Sequence, residues 1–207
     1  MKFAISTLTF ALAAVSTAQY DNKSLPFYLT LTSPDASTDG DFITACHTGA
    51  GIESLCLSNS SSVSKPDPSY PSTFYFNTSS DIGPPAPGLG QPGILTYSLN
   101  ISTGEIPSAV TLFNDPTSDF ALPLLYPGSN DAQVFAFDDE NKLGLTGYVD
   151  YTVNPPKPGS FKTYYRWYSC PTYYLGYYYV NLVWSLGAAE PETPGCVEVS
   201  VKRVFSD

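Results

Sequence analysis

One histidine, one methionine and nine basic residues are all that the 207-residue chain holds of those types, and each shortage removes a chemistry. Histidine is the side chain whose ordinary titration suits general-base work near neutrality, so a serine or cysteine hydrolase would have to gather around His47 alone. No G-x-S-x-G elbow is present to supply the nucleophile. A zinc site built on Cys46, His47 and Cys56 lacks both C-x-x-C spacing and a second histidine, and no H-E-x-x-H pair occurs. No metal, no cofactor and no catalytic residue is therefore expected. Nine basic against nineteen acidic residues give a net charge of −10. Such a surface repels phosphate backbones and anionic lipid, so neither nucleic acid nor a membrane surface is an expected partner. No window carries the i, i+3, i+4 pattern of a long amphipathic helix. After the N-terminal stretch no apolar run approaches the length that spans a bilayer, and no membrane anchor is expected.

What is present begins with Lys2, the apolar run Phe3 to Val15 and the small residues Ser16 and Ala18, which read as a secretory signal peptide over residues 1–18. A single secreted domain is expected over 19–207, starting at Gln19. A copper-dependent oxidase that ligates its metal through an N-terminal histidine is excluded by that glutamine. With 43% hydrophobic and only 14% charged residues, the composition folds rather than staying disordered. An oxidising compartment allows Cys46, Cys56, Cys170 and Cys196 to pair. Of the three possible connectivities, Cys46–Cys56 with Cys170–Cys196 is expected, since each pair lies within one local stretch. Asn22, Asn59, Asn77 and Asn100 head the four Asn-x-Ser/Thr sequons and are expected at the surface as glycosylation sites.

Period-two alternation dominates. Phe27, Leu29 and Leu31 alternate with Tyr28, Thr30 and Thr32, and Val197, Val199 and Val201 with Glu198, Ser200 and Lys202. Leu95, Tyr97 and Leu99 repeat the device, and Val180, Leu182, Trp184 and Leu186 form another core-facing row. The reading is an all-β domain of about twelve short antiparallel strands separated by proline and glycine. A β-trefoil-like barrel fits a faint repeat of Phe74-Tyr-Phe76 in Phe135-Ala-Phe137, and a β-sandwich or jelly roll fits the same strands. Ser58 to Pro71 and Asp81 to Gly93 read as loops, as does the proline-rich Asn154 to Gly159. The acidic cluster Asp138-Asp139-Glu140-Asn141 reads as a solvated hairpin connection, because adjacency in a turn does not set two carboxyls across a cleft as glycosidases need.

Eight of the sixteen tyrosines lie between Tyr164 and Tyr179. A strand buries alternate residues, so so aromatic a run places rings on its outer face as well as its inner one. Aromatic planes bordered by hydroxyls suit the apolar faces of sugar rings. Tyr164, Tyr165, Trp167, Tyr168, Tyr173, Tyr174, Tyr177 and Tyr178 are accordingly the candidate binding residues, with polysaccharide as the candidate partner. The competing reading is that these rings close over the core and pair across strands.

The stretch Ala45-Cys-His-Thr-Gly-Ala-Gly-Ile-Glu-Ser-Leu-Cys56, the run Tyr164-Tyr-Arg-Trp-Tyr-Ser-Cys170 with its tyrosine-rich sequel, Val183-Trp-Ser-Leu-Gly187 and Cys196-x-x-Val together resemble a family of small secreted proteins of filamentous ascomycete fungi, a domain of unknown function. The resemblance implies a fungal source and an extracellular or wall location. It carries over no catalytic residue. Two functions remain in play: a non-catalytic extracellular protein that binds polysaccharide, with a protein-binding effector as its variant, and a secreted glycan hydrolase using acids that the sequence does not single out.

Overall fold

A computed structural model describes residues 20–58, 71–102, 104–128 and 130–206. The signal-peptide segment, the sequon at Asn59 and all but the ends of the loop from Ser58 to Pro71 lie outside the described residues. Within them the chain is all-β: β1 (Asn22–Lys23), β2 (Phe27–Thr32), β3 (Ile43–Gly49), β4 (Ile52–Leu57), β5 (Phe74–Thr78), β6 (Pro92–Ile101), β7 (Gly104–Asn114), β8 (Phe120–Pro127), β9 (Val134–Phe137), β10 (Leu143–Asp150), β11 (Lys157–Tyr164), β12 (Trp167–Tyr174), β13 (Tyr177–Ser185), β14 (Val197–Glu198) and β15 (Ser200–Phe205). These fifteen antiparallel strands form one curled, half-barrel sheet, in the order β11-β10-β9-β6-β7-β8-β4-β13-β12-β14 with β1, β2, β3, β5 and β15 branching from it.

Eleven of the twelve expected strands are found at their positions, around Phe27, Ile43, Leu55, Phe74, Leu95, Leu112, Leu122, Phe135, Leu143, Trp167 and Leu182; the twelfth, around Val199, is split, and three elements are additional. The short β1 pairs with β5. The row around Val199 divides into β14, which pairs with β12, and β15, which pairs with β2. The third, β11, was expected in part to be loop. It pairs only with β10 and is almost wholly exposed, so no apolar alternation marks it. Strand β6 likewise begins at Pro92, just inside a stretch read as loop. The faint repeat does not delimit modules: β5 and β9 flank β6, and the Phe76 and Phe137 rings meet edge to face at 5.0 Å.

The core follows the alternation. Phe27, Leu29 and Leu31 are buried with Val199 and Val201, and with Leu55, Leu57, Leu95, Val110, Leu125, Phe135 and Leu143 they make one cluster. Leu182 and Trp184 join it as expected, Val180 packs at its margin, and Leu186 is exposed where β13 has ended. Val197 and Lys202 are both half-buried, against expectations of buried and exposed. A second cluster, Leu122, Leu124, Tyr168, Cys170 and Val183, covers the opposite face of the sheet. Cys46–Cys56 and Cys170–Cys196 are both bridged in the expected pairing. Two disulfides point to an oxidising, extracellular environment.

Candidate functional site

The β12–β13 hairpin closes through Leu175 and Gly176, both at positive φ (48° and 94°), the geometry of a two-residue hairpin turn. Alternation then sets Trp167, Ser169, Pro171 and Tyr173 on one face, opposite Trp184, Leu182, Val180 and Tyr178, and Tyr168, Cys170, Thr172 and Tyr174 on the other. The open end of the hairpin, Trp167 to Cys170 against Asn181 to Trp184, is buried on both faces. Trp167 is 1% exposed; its indole N–H donates to the Leu143 carbonyl at 2.8 Å and its ring meets Trp184 edge on at 4.9 Å. Tyr168 belongs to the second cluster. These two of the eight candidate rings are therefore core: Trp167 belongs to the first cluster, and Tyr168 packs in the second with Leu122 and Leu124 of β8, which pairs beside β13.

The other six candidates fall into two groups, four at the hairpin turn and two, Tyr164 at the end of β11 and Tyr165 in the connection, beyond the open end of β12. At the turn, Tyr173 and Tyr178 are 61% and 55% exposed and sit 4.6 Å apart across the ladder. Their neighbours are more committed. The Tyr174 hydroxyl shares a 3.2 Å hydrogen bond with that of Tyr126 and its ring packs on Phe113; burial first, and then that bond, pushes Tyr126 up to about 12. Tyr177 meets His47 edge on at 5.4 Å and stacks beside Tyr179, whose hydroxyl donates to the His47 carbonyl at 3.1 Å. The sole histidine is thus engaged by rings on an exposed strand position.

At the other end stand Tyr164 and Tyr165. The Tyr165 hydroxyl donates to Asp138 Oδ2 at 2.6 Å, and burial followed by that bond lifts the phenol to about 12. Asp138 also accepts the backbone N–H groups of Glu140 and Lys142; burial pulls its titration upward, but these bonds together hold it below the ordinary range. The acidic cluster is the β9–β10 connection, tied by a Lys142–Glu140 ion pair at 2.6 Å.

Tyr164 is half-buried against the first core cluster and borders a feature that the sequence reading missed. Its ring lies over Gly147, where an added Cβ would stand 3.4 Å away. The cations of Lys162 and Arg166 lie over the same ring, 4.9 and 5.0 Å from its centroid. Beside it an open groove of about 490 Å³ runs between Tyr148, Tyr151, Phe161, Tyr164, Arg166 and Trp184. Tyr148 and Phe161 stand 5.1 Å apart where the β10–β11 register slips between Gly147 and Val149, and Tyr151 is 78% exposed. The available signal was that these aromatics sit in segments with no apolar row to bury them.

A different kind of site lies on β4. Glu53 shares the core-facing side of its strand with Leu55 and Leu57 and stands opposite His47 in the β3 register. Its Oε2 is buried without a hydrogen-bond partner, as is Ser108 Oγ, and desolvation pushes the carboxyl up to about 6. Burial, and after it the charge of Glu53, raises the hydroxyl of Tyr97, the register partner of Ser108. Of the described sequons, Asn22 and Asn100 are exposed, whereas Asn77 is half-buried and its Oδ1 accepts from Thr96 Oγ1 at 3.4 Å.

No curated protein and no solved structure matches the chain. A family model, DUF7907, a domain of unknown function, matches residues 24–205. That span takes in every described strand but β1 and both disulfides, and the chain belongs to this family.

Proposed function

We propose that the protein is a secreted, non-catalytic fungal protein of the extracellular space or cell wall that binds polysaccharide through its aromatic surfaces, chiefly the groove beside Tyr164. The supporting observation is that groove. Tyr148, Tyr151 and Phe161 stand exposed around an open channel bordered by Tyr164, on a hairpin whose outer strand is exposed along most of its length. Such faces bury the C–H side of a sugar ring while their hydroxyls remain wet, and two-torsion aromatic side chains give up little entropy on binding. The Tyr173 and Tyr178 pair at the hairpin turn supplies a second, smaller contact of the same chemistry.

The test is retention on insoluble glucan, chitin and mannan, with reducing ends assayed in the supernatant. Retention without sugar release is the expected result, and Tyr151→Ala with Phe161→Ala should abolish it at an unchanged melting temperature. Release of reducing ends would favour a hydrolase instead. Glu53 is the first acid to test in that case, since burial raises its carboxyl to about 6. Loss of that release in Glu53→Gln would then identify the acid.

A further inference from the structure

The groove carries a charge that neutral sugar binding does not call for. Among the described residues Arg166 has no carboxylate within salt-bridge distance, and no acidic residue lines the groove beside it. Lys162 flanks the same Tyr164 ring, while Lys157, further along β11, stands opposite Asp150, which also feels the Lys162 charge; Arg166 is the cation of this group that lines the groove itself. A guanidinium over an aromatic face uses its π surface for that contact and keeps its in-plane N–H donors for a planar anion. The pairing of ring faces with a bidentate donor matches one ligand class: a pyranose bearing a carboxylate.

We infer that the groove selects acidic polysaccharide, with the sugar stacked on the exposed rings of Tyr148, Tyr151 and Phe161 and its uronate carboxylate paired with Arg166, whose guanidinium rests over Tyr164. This rests on the polysaccharide reading above and adds the substrate class. Repulsion from the rest of the acidic surface is screened beyond about 10 Å at 0.1 M salt, whereas a carboxylate in contact with Arg166 is not. A charge-assisted bidentate contact is also directional, so lysine should replace it only in part.

The experiment compares polygalacturonate oligomers with their fully methyl-esterified forms, which keep the ring and lose the charge, using calorimetry on the wild-type protein. The acid form should bind about tenfold more tightly at 50 mM salt, and the advantage should shrink at 0.5 M. Arg166→Gln should bring the acid form down to the affinity of the ester while leaving the ester unchanged, and Arg166→Lys should fall between. Should Arg166→Gln melt early, Lys162→Gln, altered at an exposed position, must show a selective loss for the acid form. Equal binding of acid and ester by the wild type would overturn the acidic-sugar assignment and leave the groove as a neutral-glycan site. Binding of neither, together with no retention on any neutral polysaccharide, would overturn the polysaccharide reading itself.

Discussion

Replacing Glu53 with Gln separates the cost of its charge from the shape of its side chain. Folding places the carboxyl on the core-facing side of β4 and leaves Oε2 without a donor, so desolvation lifts its titration from 4.5 to about 6. A folded value above the unfolded one means that the native state holds the proton more firmly between those two pH values. The contribution is therefore fully present below about pH 4.5 and is lost as pH rises through about 6. The shift corresponds to about 2 kcal/mol; because the side chain keeps partial contact with water, screening reduces the expectation to about 1 kcal/mol. Glu53→Gln should match the wild type at pH 4 and exceed it by about 1 kcal/mol above pH 7, or about 3 °C in melting temperature for a domain of this size. Urea titrations of both proteins from pH 4 to pH 8 read this directly, with equal m-values confirming that only stability has changed. Repeating the pair in a His47→Gln background removes the one imidazole, which stands opposite in the register. A difference that stays flat with pH, or a variant that loses ground at pH 8, would refute desolvation as the controlling effect.

Trp167→Ala should cost about 3–5 kcal/mol, as for truncation of a buried aromatic, whereas Tyr173→Ala with Tyr178→Ala should leave the melting temperature within about 2 °C, as expected for exposed positions. Thermal melts of the three proteins check both; equal losses would mean that the hairpin turn is structural. Non-reducing peptide mapping should find only Cys46–Cys56 and Cys170–Cys196, and replacing Cys170 and Cys196 with alanine should cost about 3 kcal/mol. Recovery of Cys46 joined to Cys170 or Cys196 would contradict the fold.

Sequence spacing revealed the strands that bury one face. In β2 the buried and half-buried positions alternate as the residues do, and the row of Val180, Leu182 and Trp184 located β13, although its second half is buried on both faces. Strand β11 escaped because both of its faces meet water, leaving nothing apolar to alternate. The candidate site was legible as chemistry and not as geometry. Eight tyrosines in a short run announce a ring-rich surface; whether Tyr168 faces outward depends on Leu122 and Leu124 of β8, far away in the chain, with which it packs. The groove depends on a register slip that brings Tyr148 to Phe161, which local spacing does not encode.

The position of β11 at the end of the strand order has a consequence for how copies of the protein meet. Its outer edge presents unpaired backbone donors and acceptors to solvent, a template on which another chain could add a strand. Lys157, Pro158 and Lys162 stand along that edge: proline withholds a donor, and each lysine brings a charge that a second β11 would have to oppose with its own. The aromatic hairpin is thereby guarded against stacking into fibres by the side chains of its own border. Exchanging Lys157 and Pro158 for threonine and valine would remove that guard and invite sheet-to-sheet growth.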